Sequence, residues 1–154
     1  MASEVATMCY IHERFAHIVF MPKPPRVLAY SPWADNPVGT PFIICEYLPG
    51  VPLSSRWAEI QGKNPAIALA CVLELEKHLL HDVFAQHGSL YFAEDVADDP
   101  HQSRIYAGVD SSHLGELEKA LDEKYRIGPA LYWQLWRGQY GKIDADRGPC
   151  ELYL

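Results

Sequence analysis

The sequence contains no GxGxxG and no GxxxxGK[ST] run, so neither common glycine-built phosphate cradle is present. It has no GxSxG turn and no HExxH pair, which removes the nucleophile elbow of the α/β-hydrolases and the helical zinc site of many metalloproteases. Cysteine is sparse: Cys9, Cys45, Cys71 and Cys150 lie far apart and form no CxxC pair. Buried free thiols in a reducing compartment are therefore expected rather than disulfides or a metal site. No apolar run approaches the ~20 residues that cross a bilayer. The first twenty residues have no secretory core, and Glu4 and Glu13 do not suit an acid-poor transit peptide. The expectation is a soluble, intracellular chain with no membrane partner. Basic residues are also in deficit, 13 against 20 acidic, for a net charge of -7. That balance opposes a nucleic-acid partner, which needs a basic face to displace counterions. There is no internal repeat and no low-complexity tract.

What remains is a globular composition, 49% hydrophobic over 154 residues, enough for one domain with a core. Val5, Met8, Cys9, His12, Phe15 and Ala16 recur at helical spacing, with Ser3 placed as an N-cap, which predicts a helix over 4–16. An apolar stretch from Ile18 to Met21 runs into Pro22-Lys-Pro-Pro25, which holds the chain extended. Residues 26–30 and 42–47 read as two strands, joined by a turn-rich loop and so paired antiparallel. The apolar run Phe42-Ile-Ile-Cys45 predicts a strand buried on both faces. Pro49-Gly50 and Pro52 then break regular structure, and Ser54 or Ser55 caps a helix over 55–60 that ends at Gly62-Lys-Asn-Pro65. Residues 41–57 thus form a strand, a proline-stiffened connector and a helix start. A helix over 65–86 follows, apolar on most of its circumference and therefore expected to be buried, with Gly88 as its stop. Residues 90–93 and 104–107 read as the two strands of one hairpin, and 113–124 as a helix. Beyond Ile127-Gly-Pro129, Tyr132, Trp133, Trp136 and Tyr140 anchor an irregular segment. The order of elements is α+β.

Candidate chemistry is thin. His78 and His81 stand three apart on the long helix, whereas a helical zinc pair sits at i, i+4 with a third ligand, so they read as incidental. His81-Asp82 has the first letters of a phosphotransferase catalytic loop, but the Asn that should hold the metal five residues on is His87. Asp144 and Asp146 offer hard oxygen ligands but read as loop acids beside Arg147. No catalytic residue and no metal ligand is assigned.

Whole segments carry more. Ser3-Glu-Val-Ala-Thr-Met8, Pro25-Arg-Val-Leu-Ala-Tyr-Ser31, Asn36-Pro-Val-Gly39, Glu46-Tyr-Leu-Pro-Gly-Val-Pro-Leu53, Gly88-Ser-Leu-Tyr-Phe92, Tyr125-Arg-Ile-Gly-Pro129 and Asp144-Ala-Asp-Arg-Gly-Pro149 occur in order along the chain. Together they resemble the fungal aminoglycoside-phosphotransferase-like proteins and, within that family, the group called altered inheritance of mitochondria protein 9. The resemblance implies part of a protein-kinase-like fold. Residues 1–47 would be a remnant of the small β lobe, 48–57 the hinge, and 58–154 the start of the large helical lobe. It places Cys45 at the back of an adenine pocket, with the Glu46 carbonyl and the Leu48 amide facing the base. Glu4 takes the place of the glutamate that pairs with a phosphate-binding lysine. ATP and Mg²⁺ are implied by the family alone, and no cofactor is expected for the chain as it stands.

The family's nucleotide-covering loop and strand lysine would precede Glu4. Its catalytic loop and metal-binding Asp would follow the Asp144–Pro149 motif. Phosphoryl transfer rests on those groups, each contributing orders of magnitude in rate. The expectation is therefore a truncated, catalytically incompetent phosphotransferase-like chain that binds an adenine nucleotide weakly. The alternatives are a protein-interaction or self-associating module, acting through exposed core surface, or part of an active ATP-dependent small-molecule phosphotransferase. A mitochondrial location follows from the family only.

Overall fold

The helix predicted over 4–16 forms as α1, Ala2–Arg14, in a computed structural model that describes residues 1–18, 23–61, 65–80 and 82–151. Met1, not Ser3, occupies the N-cap. Ser3 lies inside the first turn and is buried with Val5, Ala6 and Tyr10, because the face that carries it packs on a sheet. Its carbonyl accepts from the Thr7 hydroxyl at 2.8 Å. The apolar run beyond Ile18, the breaker Gly62-Lys-Asn64 and His81 lie outside the described residues.

Strands β1 (Val27–Ser31) and β2 (Phe42–Cys45) pair antiparallel as expected, Ser31 opposite Phe42 and Val27 opposite Cys45. The loop between them is organised by Asn36. Its Nδ2 donates to the Thr40 carbonyl at 2.9 Å, and its Oδ1 accepts from the Val38 and Gly39 amides at 2.8 and 3.0 Å. This side-chain mimicry of a backbone turn is what Asn does well, and Gly39 supplies the positive φ of 73° that follows. Strand β2 is not buried on both faces. The pair forms a sheet of its own, and Ile44 is half exposed.

The connector leads into α2 (Leu53–Gln61), which begins earlier than expected. Ser55 does not cap it. Its hydroxyl donates back to the Pro52 carbonyl at 2.7 Å. Helix α3 (Pro65–Leu80) follows and differs most from its sequence reading. It ends at Leu80 rather than near Gln86, and none of its residues is buried.

Gln86–His87 instead forms β3, which pairs with β7 (Cys150–Glu151). Gly88 is not a helix stop but a point of close approach between strands. A Cβ there would meet the Gly128 carbonyl and, at 2.6 Å, the Ile127 side chain. Strand β4 (Ser89–Phe92) and the short β5 (Ser103–Arg104) were expected to pair with one another. They flank β6 (Tyr125–Gly128), a strand not expected from the sequence, in the order β4-β6-β5. It emerges directly from α4 (Glu116–Lys124) with no turn residue between them, which hides its start.

The core lies where α1 and α4 meet this three-stranded sheet. Ala6, Tyr10, Ile105, Tyr106, Leu121, Tyr125 and Ile127 are buried together, and the Tyr10 and Tyr125 rings meet edge to face. Asp82, just past α3, ties that segment to the core. Its carboxylate accepts from Tyr10 Oη at 2.7 Å and from Arg14 Nε at 2.7 Å, and Arg14 reaches Glu118 at 3.1 Å. The Asp82 side chain is only 3% exposed, so this is a charge held out of water by a fixed set of donors.

The C-terminal segment carries the short helix α5 (Trp133–Trp136), and Tyr132, Trp133, Trp136 and Tyr140 are exposed rather than anchored in a core. Trp136 Nε1 donates to the Ala130 carbonyl at 2.8 Å, and the Arg147 guanidinium stacks 4.5 Å from the Trp136 ring centre. Arg147 also donates to the Ile143 carbonyl at 2.8 Å. Asp146 Oδ1 accepts from the Gly148 amide at 2.9 Å.

Candidate functional site

The residues at positions i, i+3, i+4 and i+7 of α1, namely Cys9, His12, Glu13 and Ala16, lie on one side of the helix and just beyond its end. That side faces the start of β1 and the end of β2 across a cleft of about 590 Å³, completed by Lys23, Pro24, Arg26, Val27, Glu46 and Leu48. The volume falls within the range of small-molecule sites, roughly 300–1,000 Å³. The cleft exists because the β1–β2 pair continues one step beyond its last ladder bonds. The Glu46 amide donates to the Arg26 carbonyl at 2.9 Å, and the Arg26 amide donates to the Glu46 carboxylate at 2.9 Å. His12 holds the other wall, with Nε2 2.6 Å from the Pro24 carbonyl.

Two of the four expected site residues therefore share one cleft. Glu46 and Leu48 line it, and Cys45 precedes them as the last residue of β2. Glu4 is exposed in the first turn of α1, outside the residues that line the cleft. Among the described residues, neither the Glu46 carbonyl nor the Leu48 amide is taken by another protein group. The strand end thus presents one acceptor and one donor. Lys23 and Arg26 bring two cations to the same cleft, and Glu13 and Glu46 two carboxylates.

Nucleophilic chemistry is poorly served here. Burial pushes the Cys9 thiol up, outweighing the Lys124 charge that pulls it down, so it is protonated at neutral pH and a weak nucleophile. All four cysteines are free, as expected, but Cys71 and Cys150 are exposed rather than buried. Among the described residues no cluster of three His, Cys, Asp or Glu side chains has the geometry to hold a metal ion. No helix of the described residues is long and apolar enough to cross a membrane.

His12, Lys23 and Arg26 line the cleft although no sequence motif marks them as site residues. The signal for His12 was present, since Cys9, His12 and Ala16 were already in register on one helical face. Lys23 and Arg26 reach the cleft only because the chain runs back along α1, which no local pattern encodes.

Comparison with known proteins gives relatives across nearly the whole chain. It is 33% identical over 151 residues to a subtelomeric hrmA-associated cluster protein of Aspergillus fumigatus, a match covering 98% of this chain and 25% of that one. It is 30% identical over 152 residues to the altered inheritance of mitochondria protein 9, mitochondrial, of Yarrowia lipolytica, covering 97% and 25%. This chain is similar to that protein. The Kluyveromyces lactis protein of the same name is 33% identical over 144 residues, covering 88% of this chain and 21% of its own length. The chain thus spans about a quarter of the length of the curated relatives it matches. No family model matches it, and no solved structure does.

Proposed function

We propose that residues 41–57 are the adenine-facing link of a phosphotransferase-like, protein-kinase-like fold. On this reading the 154 residues as they stand hold an adenine nucleotide weakly and transfer no phosphate. The observation that carries the reading is the convergence of Glu46 and Leu48 on one cleft, with a carbonyl and an amide left open and Lys23 and Arg26 beside them. A purine edge offers the complementary donor and acceptor, and the two cations suit a phosphate. The mitochondrial names of the relatives support a role in mitochondria. The absence from the sequence of a glycine-built phosphate cradle supports weak binding, because the phosphates would lack their usual amide donors.

Calorimetric titration with Mg-ATP, ADP and adenosine tests this. The expected dissociation constants are on the order of millimolar and lie within about tenfold of one another, since the adenine edge does most of the work. Leu48→Pro deletes the amide donor and should weaken binding about three- to tenfold, the worth of one hydrogen bond. Micromolar Mg-ATP binding indifferent to Leu48→Pro contradicts the hinge assignment. ATP turnover above background that disappears in Asp144→Ala and Asp146→Ala contradicts the inactive reading.

A further inference from the structure

Tyr125 is fully buried, and among the described residues its hydroxyl has no hydrogen-bond partner. A phenol in that state has lost its water without a replacement bond, which native structures seldom leave standing. Burial pushes its pKa up, aided by Glu13 and Cys9, which both line the cleft and therefore lie beside it. Glu13 is the acceptor within reach, but its Oε1 is taken by Lys124 Nζ at 2.5 Å. The same ammonium stands 5.5 Å from the centre of the Tyr125 ring and 5.7 Å from that of Phe92. One carboxylate thus has two donors beside it, a half-exposed ammonium and a buried phenol, and serves only the first.

We propose that Lys124 is a latent phosphate ligand of the cleft, latched on Glu13 and released to an anion when Glu13 turns inward to accept from Tyr125 Oη. The inference rests on the reading of the cleft as a nucleotide site. The two cations that line the cleft, Lys23 and Arg26, are matched there by Glu13 and Glu46, so the lining alone offers a phosphate no net positive charge. Lys124 supplies it. Its charge is already felt in the cleft, where burial pushes the Cys9 thiol up and Lys124 pulls it back. The exchange is close to balanced. The Lys124 and Glu13 side chains are 48% and 38% exposed, so water screens their attraction and the pair contributes little. Drawing Glu13 inward costs part of its hydration, and a charge-assisted bond from Tyr125 Oη offsets that cost. A phosphate then decides between the two arrangements, because it replaces the partner that the ammonium loses and binds only the released form well.

NMR titration of the full chain with adenosine, ADP and pyrophosphate tests this. The ratio of the adenosine to the ADP dissociation constant reads the phosphate part alone. Lys124→Met should lower that ratio about three- to tenfold, and Glu13→Gln, which holds an ammonium poorly, should raise it about threefold. Tyr125→Phe touches no ligand, yet it should lower the ratio about threefold, because Glu13 turned inward would find no donor. Having lost a hydroxyl that had no partner, the same variant should melt no lower than the parent. A Tyr125→Phe chain that melts about 4 °C or more below the parent shows the hydroxyl already bonded and overturns the proposal. A ratio that Lys124→Met and Tyr125→Phe leave unmoved overturns it too, while the adenine reading stands. If neither adenosine nor ADP binds, the adenine reading fails and pyrophosphate decides the latch. Pyrophosphate binding weakened by Lys124→Met and by Tyr125→Phe supports it, and no binding, or binding indifferent to both, overturns it.

Discussion

Two helices of similar length, α1 and α3, have opposite relations to the rest of the molecule. Helix α1 is the less apolar of the two, yet it buries Val5, Ala6 and Tyr10 and shares a core with Ile105, Leu121, Tyr125 and Ile127. Helix α3 is apolar throughout its first two turns and buries nothing. The difference is one of partners rather than composition. Helix α1 has the three-stranded sheet and α4 to pack on, while α3 has the exposed α2 and the Asp82 tether. Each fully buried Leu or Ile contributes about 1.5–3 kcal/mol. The α3 residues forgo that contribution in this chain. Stability should therefore concentrate in the core around α1.

The largest break in this contrast comes from the core. Tyr125→Ala removes a fully buried ring and should cost about 3–5 kcal/mol in urea unfolding, whereas Leu80→Ala should fall within about 0.5 kcal/mol of the parent. Next is the tether. Arg14→Ala strips a buried carboxylate of its charge partner and should cost about 3 kcal/mol, near the lower end for broken buried pairs because Arg14 itself keeps some exposure. A double-mutant cycle with Asp82→Asn isolates the pair. A smaller effect is expected at Gly128, where a Cβ would stand 2.9 Å from the Tyr91 ring, so Gly128→Ala should cost about 1–3 kcal/mol through overpacking.

The smallest contribution is read from pH. Burial, aided by Asp99, pushes the Tyr91 phenol up to about 12, and burial moves Tyr10 and Tyr125 in the same direction. A raised folded pKa favours the neutral form in the folded state. Its contribution is whole below the unfolded value near 10 and is lost as pH climbs through about 12, because the unfolded chain ionises first. Ultraviolet titration should show these three tyrosines ionising above the ordinary phenol range and together with unfolding.

Much of the architecture was legible where pattern and environment agree. Helix α1, the antiparallel β1–β2 pair and α4 follow from local periodicity, and Glu46 and Leu48 line the cleft beside α1. Strand β6 was not. Tyr125 and Ile127 are buried on either side of the partly exposed Arg126, a period of two, but four residues abutting a helix are too few to overcome the absence of a turn. The β4–β5 hairpin failed for a related reason, since β6 intervenes from twenty residues further on. The burial expected of α3 failed differently. Its first turns have the all-round apolar pattern of an interior helix, but no residue of α3 is buried.

The contrast itself is measured most directly by residue-resolved hydrogen exchange on the full chain at neutral pH. The amides of α1, β4 and β6 should exchange slowest, with those of α3 on the order of 100-fold faster. A monomeric sample in which α3 is protected as strongly as α1 would contradict the account.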